Sequence, residues 1–388
     1  MPAALIEAIP ERVLMTADAV GGVWQYSLEL ARGLAAHGVE TVLAVLGPAP
    51  SAAQLFEASQ VLRMRVIPTQ LPLDWTAPAP ESLHAAAHAL AELAARCAVD
   101  SVHLHTPALY ADARWPAPVV AVAHSCVRTW WRAVHGGPLP RDLAWRADCA
   151  AVGLARADAI IAPSRSFAAA LREAYGIARP VSVVHNGRRP ARHAPARRRR
   201  AVLAAGRLWD EGKNIAVLDR AAARLDAPVY AAGPLAGPHG VAVRFAHLHA
   251  LGALDATALA AQYASIPIFA APSRYEPFGL AVLEAAQAGM ALVLSDIATF
   301  RELWDGAARF VDAADPDAFA AELRALLDDE RARARLAAAA RVRARDYGAN
   351  AMVAATLGVH RAALAPSPPL PRMAGEGAAR VVARVGAS

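Results

Sequence analysis

The stretch Ser273-Arg-Tyr-Glu276-Pro-Phe-Gly279-Leu280-Ala-Val-Leu-Glu284-Ala-Ala-Gln-Ala-Gly289 follows an apolar run, Pro267-Ile-Phe-Ala-Ala271, that is closed by Pro272. It reads as a strand, a turn carrying Gly279, and a helix that runs to a glycine stop at Gly289. The first turn of such a helix leaves backbone N–H groups unpaired near Gly279 and Leu280. With roughly half a positive charge there, it favours a phosphate or another anion. Glu276 stands at the mouth of the turn. Glu284 lies about five residues further in, roughly 7 Å along the axis, where it can reach a group hanging below a bound phosphate. Either acid alone is equally well a dipole-compensating or solvated glutamate; the pair in this setting is what suggests a ligand.

Outward from this stretch, the chain alternates short apolar runs with Ala/Leu-rich helical stretches. Arg12–Met15, Thr41–Leu46, Ser101–His105, Val119–Ala123, Ala159–Ala162 and Val181–Val184 give the first half a βαβ rhythm. A second series, Ala201–Ala205, Pro228–Ala232, Val241–Phe245, Pro267–Ala271 and Ala291–Ser295, starts the pattern afresh. The fold class expected is α/β, with two doubly wound, Rossmann-like domains facing across a cleft. The first spans residues 1–187 and the second 201–345; a helix follows at 346–365, and a Pro/Gly/Ala-rich tail at 366–388 is expected to be disordered. In such sheets ligands sit beyond the carboxyl ends of the strands.

A chain of 388 residues, 56% hydrophobic and 19% charged, is globular and too long for one ordinary core. Cys97, Cys126 and Cys149 form no C-x-x-C pair, which argues against a disulfide framework or a zinc site and suits a reducing cytoplasm. Met1–Glu11 lacks a basic n-region, so no signal peptide is expected, and no apolar run approaches the ~18 residues of a spanning helix. Residues 188–200 hold seven arginines: Arg188, Arg189, Arg192 and Arg197 to Arg200. Without them the formal charge of +6 becomes −1. Basicity confined to one Pro-containing segment points to an interdomain loop rather than a nucleic-acid face. It could also hold the protein to an anionic lipid surface, although a solvated linker is the plainer account.

Other residues sit where strand ends expose chemistry. Gly21-Gly22 follows the first strand, His124 follows Val119–Ala123, and Arg207 and Lys213 occur in Ala205-Gly206-Arg207-Leu-Trp-Asp-Glu-Gly-Lys213-Asn214. Two cations close behind a strand can grip a diphosphate and stabilise its growing charge as it leaves. Together with Pro272-Ser273 and Glu-x7-Glu around Phe278-Gly279-Leu280, these motifs resemble those of the retaining family-4 type glycosyltransferases of GT-B architecture, over residues 12 to about 364. The resemblance implies that Gly21 and Gly22 let the backbone approach the donor and that His124 lies near the donor sugar. It also implies that Arg207, Lys213 and the Phe278-Gly279-Leu280 turn hold the diphosphate, that Glu276 holds the sugar, that Glu284 holds the ribose, and that the helix at 346–365 packs back across the cleft. Asn186-Gly187 fits the pattern as a structural element, and Glu302 fits either a recurrent family acid or a solvent-facing helix residue. One extra residue separates Arg207 from Lys213, Ala291 stands where proline is usual, and Ser265-Ile266-Pro267 replaces an acidic turn.

The activity so implied is metal-independent transfer of a sugar, with retention, from a nucleoside diphosphate sugar to a saccharide or lipid-linked acceptor. The chain is read as lacking the Asp-x-Asp that holds a metal-bound donor, and as offering no placed nucleophile, which favours same-face attack. No cofactor beyond the donor substrate, no metal and no nucleic acid is expected. Trp130, Trp131 and Trp75 lie in the acceptor half and suit either sugar stacking or packing. A GT-B epimerase and a non-catalytic binding module are the rivals.

Overall fold

The computed structural model describes residues 9–191, 197–237 and 240–365. The tail at 366–388 and the centre of the arginine-rich segment lie outside them. The first half holds a parallel sheet of β1 (Arg12–Asp18), β2 (Glu40–Leu46), β3 (Met64–Pro68), β4 (Ser101–Leu104), β5 (Val119–Val122), β6 (Ala159–Ala162) and β7 (Ser182–Val183), in the order 3-2-1-4-5-6-7. The second holds β8 (Val202–Ala205), β9 (Val229–Ala232), β10 (His249–Gly252), β11 (Ile268–Ala271), β12 (Ala291–Ser295) and β13 (Arg309–Val311), in the order 10-9-8-11-12-13. Central strands such as β2 and β12 are buried almost throughout, as unbroken Val/Leu/Ala runs require when helices cover both faces.

Three strand readings differ from the structure. Val241–Phe245 forms no strand; only an isolated Ala236–Ala242 bridge occurs there, and the sheet edge is taken by His249–Gly252. β3 is a half-exposed edge strand and β13 spans three residues, so neither carries the dense apolar signal of an interior strand.

The chain crosses between the halves twice. After the second sheet, helix Ala349–Leu364 returns to the first domain, and its Met352, Val353 and Leu357 join Tyr26, Leu30 and Leu34 of helix Gly22–Ala36 in one buried cluster. Gly33 makes the fit possible: a Cβ there would come within 2.1 Å of Val353. Each sheet reverses its strand order once, between β1 and β4 and between β8 and β11, so the two ligand-binding crevices are the loops that end these four strands.

Candidate functional site

The two crevices meet. After β1, Asp18 Oδ1 accepts the N–H groups of Val20 and Gly21 at 2.8 and 2.9 Å, which folds the turn tightly into helix Gly22–Ala36. A Cβ on Gly21 would lie 3.3 Å from the Arg207 guanidinium, and one on Gly22 would lie 3.3 Å from the Leu280 side chain. The glycine pair thus faces the turns of the second domain that carry Arg207 and Leu280, with no room for larger side chains.

On that side, Arg207 leaves β8 through Gly206 and pairs with Asp210 at 2.7 Å. Burial opposes its charge, and Asp210, Glu276 and Asp18 outweigh that, so its pKa lies above the ordinary value. Lys213 closes a 3-10 turn, Glu211–Lys213, and forms an ion pair with Glu276. Asn214 anchors the loop: its Nδ2 donates to the carbonyls of Pro272 at 2.8 Å and Ala313 at 2.7 Å. The Gly212 carbonyl accepts from the N–H of Arg274 and Tyr275. The loop after β8 is therefore locked to the loop after β11, and Lys213, Ser273 and Glu276 line one small cavity at the strand ends.

Gly279 opens helix Leu280–Gln287 with φ +92°, a conformation that favours glycine, and no side chain caps the turn. Its first N–H groups face a site already carrying Arg207 and Lys213, an arrangement suited to a diphosphate. The Phe278 ring points elsewhere: it is buried against Tyr347 at 5.6 Å between centroids, so at this position only the backbone is left to meet a ligand. Glu284 receives Arg188 at 2.9 Å and the Tyr263 hydroxyl at 3.3 Å. Arg188, in turn, donates to Gln25 of the first domain at 2.9 Å. The arginine-rich segment is thus bonded at both ends. Arg189 pairs with Glu29, Arg198 donates to the carbonyls of Ala288 and Gly289, and Arg200 pairs with Asp226 and Asp328.

His124 lies at the end of β5, with its Nε2 2.6 Å from Nδ1 of His105. His103 and His360 form a second pair at 3.0 Å, and the rings of His103 and His105 lie 4.9 Å apart. Burial lowers the pKa of all four, to about 4 for His124 and His360. The unfolded chain therefore binds more protons than the native one below the ordinary histidine pKa of about 6.5. Stability is full above that value and declines as pH falls towards 4, on the order of 1 kcal/mol per pH unit for each such histidine. Thermal unfolding between pH 7 and 5 should show this fall, with a shallower slope in His360→Gln.

Several contacts that the sequence did not announce join the halves beside these residues. The Tyr275 hydroxyl accepts from the Cys126 N–H at 3.1 Å and lies 2.9 Å from the Thr129 hydroxyl. Ser164 donates to the carbonyl of Pro277 at 2.8 Å. Glu302 is no solvent-facing residue. Its two oxygens accept the N–H groups of Arg165 and Ser166 at 2.8 and 2.7 Å, at the start of the first domain's helix Arg165–Tyr175. Trp130 packs across the cleft with its indole nitrogen 3.2 Å from where a Gly212 Cβ would stand, and the Trp131 indole nitrogen is buried. Trp130 thus makes an interdomain contact, while the Trp131 ring packs against Trp130 and His135 of its own domain.

One Asp-x-Asp does occur, Asp315-Pro316-Asp317, contrary to the sequence reading. Asp315 caps helix Pro316–Asp328 by accepting from Asp317 and Ala318, and Asp317 pairs with Arg224. Among the described residues no group of three His, Cys, Asp or Glu side chains is placed to hold a metal, and no helix is long and apolar enough to cross a membrane.

The Glycosyltransferase Family 4 model matches residues 20–192 and the Glycosyl transferases group 1 model residues 199–329, one for each half of the cleft. The chain belongs to this glycosyltransferase family. Among curated relatives, phosphatidyl-myo-inositol mannosyltransferase of Mycolicibacterium smegmatis is 39% identical over 119 residues, 30% of this chain and 28% of that protein. D-inositol 3-phosphate glycosyltransferase of Xylanimonas cellulosilytica is 40% identical over 104 residues, 26% and 25% of the two chains. The matched stretches thus span under a third of those relatives. Solved structures resemble the whole fold. Sucrose-phosphate synthase from Thermosynechococcus elongatus aligns with a TM-score of 0.72 at 18% identity, over 90% of this chain and 98% of that one. Anabaena HepE in complex with UDP-glucose aligns with a TM-score of 0.66 at 18% identity, over 89% and 99%.

Proposed function

We propose that this glycosyltransferase-family chain transfers a sugar, with retention and without a metal, from a nucleoside diphosphate sugar to a saccharide or lipid-linked acceptor. The observation that carries the reading is the convergence of Gly21-Gly22, Arg207, Lys213–Glu276 and the Gly279-Leu280 helix start at the meeting point of both crevices. Arg207 and Lys213 are paired with Asp210 and Glu276, and a diphosphate would take up the same charges. The bond from the sugar's anomeric carbon to the diphosphate breaks, and the acceptor oxygen bonds to that carbon from the same face. The acceptor's proton passes to the departing phosphate oxygen. Arg207, Lys213 and the helix N–H groups stabilise the charge that grows there. Glu276 holds the sugar, His124 lies beside it, and Glu284, already oriented by Arg188 and Tyr263, takes the ribose.

The HepE complex makes UDP-glucose the first donor to try, and the two inositol-linked relatives make polyol and lipid-linked acceptors the first to screen. Site and donor class are tested together by thermal unfolding with UDP, GDP and ADP and their sugars. A ligand at a hundred times its Kd adds about 2.7 kcal/mol to the wild type. That gain should vanish in Glu284→Ala. If no nucleotide stabilises the protein, the donor reading fails. Turnover should also survive EDTA and give an α-linked product from an α-linked donor; a β-linked product overturns retention.

A further inference from the structure

His124 is one end of a hydrogen-bonded line that runs into the first domain, and the direction of each bond in that line can be worked out from its far end. Ser27, fully buried on helix Gly22–Ala36, donates its single hydroxyl proton to the carbonyl of Val23 at 2.8 Å. A carbonyl can only accept, so the hydroxyl has no proton left for its other neighbour, Nε2 of His105, at 3.3 Å. That neighbour must donate. His105 therefore carries its proton on Nε2 and offers a bare Nδ1, which lies 2.6 Å from Nε2 of His124. The contact is a hydrogen bond only if His124 is the donor, with its own proton on Nε2. His105 is held in place independently, since its backbone N–H donates to the Thr16 hydroxyl at 2.9 Å and the Tyr26 ring packs edge-on against it at 5.1 Å between centroids.

We propose that Ser27 and His105 are positioning residues that fix the tautomer of His124, leaving a bare Nδ1 as the polar atom its ring offers to the cleft. This Nδ1 has no hydrogen-bond partner among the described residues. The ring edge aimed at the donor is thus an acceptor and cannot supply a proton. Its complement is a hydroxyl of the donor sugar, and a donor lacking a hydroxyl there, or presenting an acceptor, leaves two lone pairs facing each other. The inference rests on the proposed place of His124 beside the donor sugar, and it makes His124 a reader of sugar hydroxyls instead of an acid.

The test is long-range 1H–15N NMR of histidine-labelled protein at neutral pH, with His124 assigned from the spectrum of His124→Gln. In the wild type, His124 should be neutral with its proton on Nε2. In His105→Phe and in Ser27→Ala it should gain the Nδ1-protonated form. In His105→Phe, kcat for sugar transfer should fall on the order of 10²-fold with little change in donor KM. His105→Gln, whose amide oxygen can still accept, should recover much of that loss. A wild-type His124 protonated on Nδ1 overturns the proposal without any variant having to fold. So does a tautomer that is unchanged in Ser27→Ala and His105→Phe. Full turnover by His124→Ala, with the tautomer as expected, instead overturns the donor-sugar reading on which the proposal depends.

Discussion

Arg207→Ala is expected to lower kcat/KM by roughly 10² to 10³-fold while leaving the fold intact, because in the proposed reading its guanidinium, set beside Gly21 of the other domain, is a preorganised charge on the diphosphate. The loss should appear in kcat as much as in KM, since the diphosphate gains charge only as its bond to the sugar breaks. Asp210, its ion-pair partner, keeps the N–H of Gly212 at 2.9 Å, so the carboxylate is not left without a donor. Arg207→Lys should recover only part of the activity, because a compact ammonium cannot reproduce the two-pronged guanidinium contact. Steady-state kinetics with the donor identified by thermal unfolding checks each point. A variant that keeps wild-type kcat would remove Arg207 from the diphosphate site.

Glu302→Ala should destabilise the protein by about 3 kcal/mol. It deletes two charge-assisted bonds to the N–H groups of Arg165 and Ser166 and the charge facing the positive end of helix Arg165–Tyr175. His185, 3.4 Å away, loses its acid as well. Although burial pushes upward, His185 and the two N–H groups hold the Glu302 pKa down to about 2. A depressed carboxylate stabilises above its unfolded value of about 4.3 and gives that up only as pH falls towards 2. Acid unfolding of the wild type should accordingly show two regimes, the histidines acting between about 6.5 and 4 and Glu302 below about 4. Glu302→Ala should weaken the lower one, which Asp210 and Asp219, also held below the usual carboxylate range, retain in part. Because the contact spans the cleft, small-angle scattering should also report a more open variant; unchanged Tm and scattering would show that the clasp does not hold the domains.

What could be read in the sequence was what is local. Glu276, Gly279 and Glu284 lie within one strand-turn-helix unit whose spacing fixes their geometry, so their arrangement was legible before any fold was known. The alternation of buried strands and helices also gave both sheets, because interior parallel strands are continuous apolar runs. The contacts that assemble the cleft were not legible, because they join residues that lie far apart along the chain. Tyr275 meets Cys126, Ser164 meets Pro277, Glu302 caps a helix of the other domain, and Arg188 reaches Glu284. None leaves a periodic trace. Glu302 is instructive, since its helix Ala298–Trp304 gives no sign that one glutamate on it faces another domain's N–H groups. His105 and Ser27 were invisible for a similar reason: a buried histidine and a helix serine have many ordinary uses, and only their mutual distances reveal a direction of donation.

The two passages of the chain between domains lie against each other. Arg188 bridges to Gly348, and a side chain on Gly187 would strike the Gly348 carbonyl at 2.4 Å. Two crossings held at one place act as a single pivot between the halves. The two walls of the cleft would then part and rejoin about that pivot, with no need for either sheet to deform.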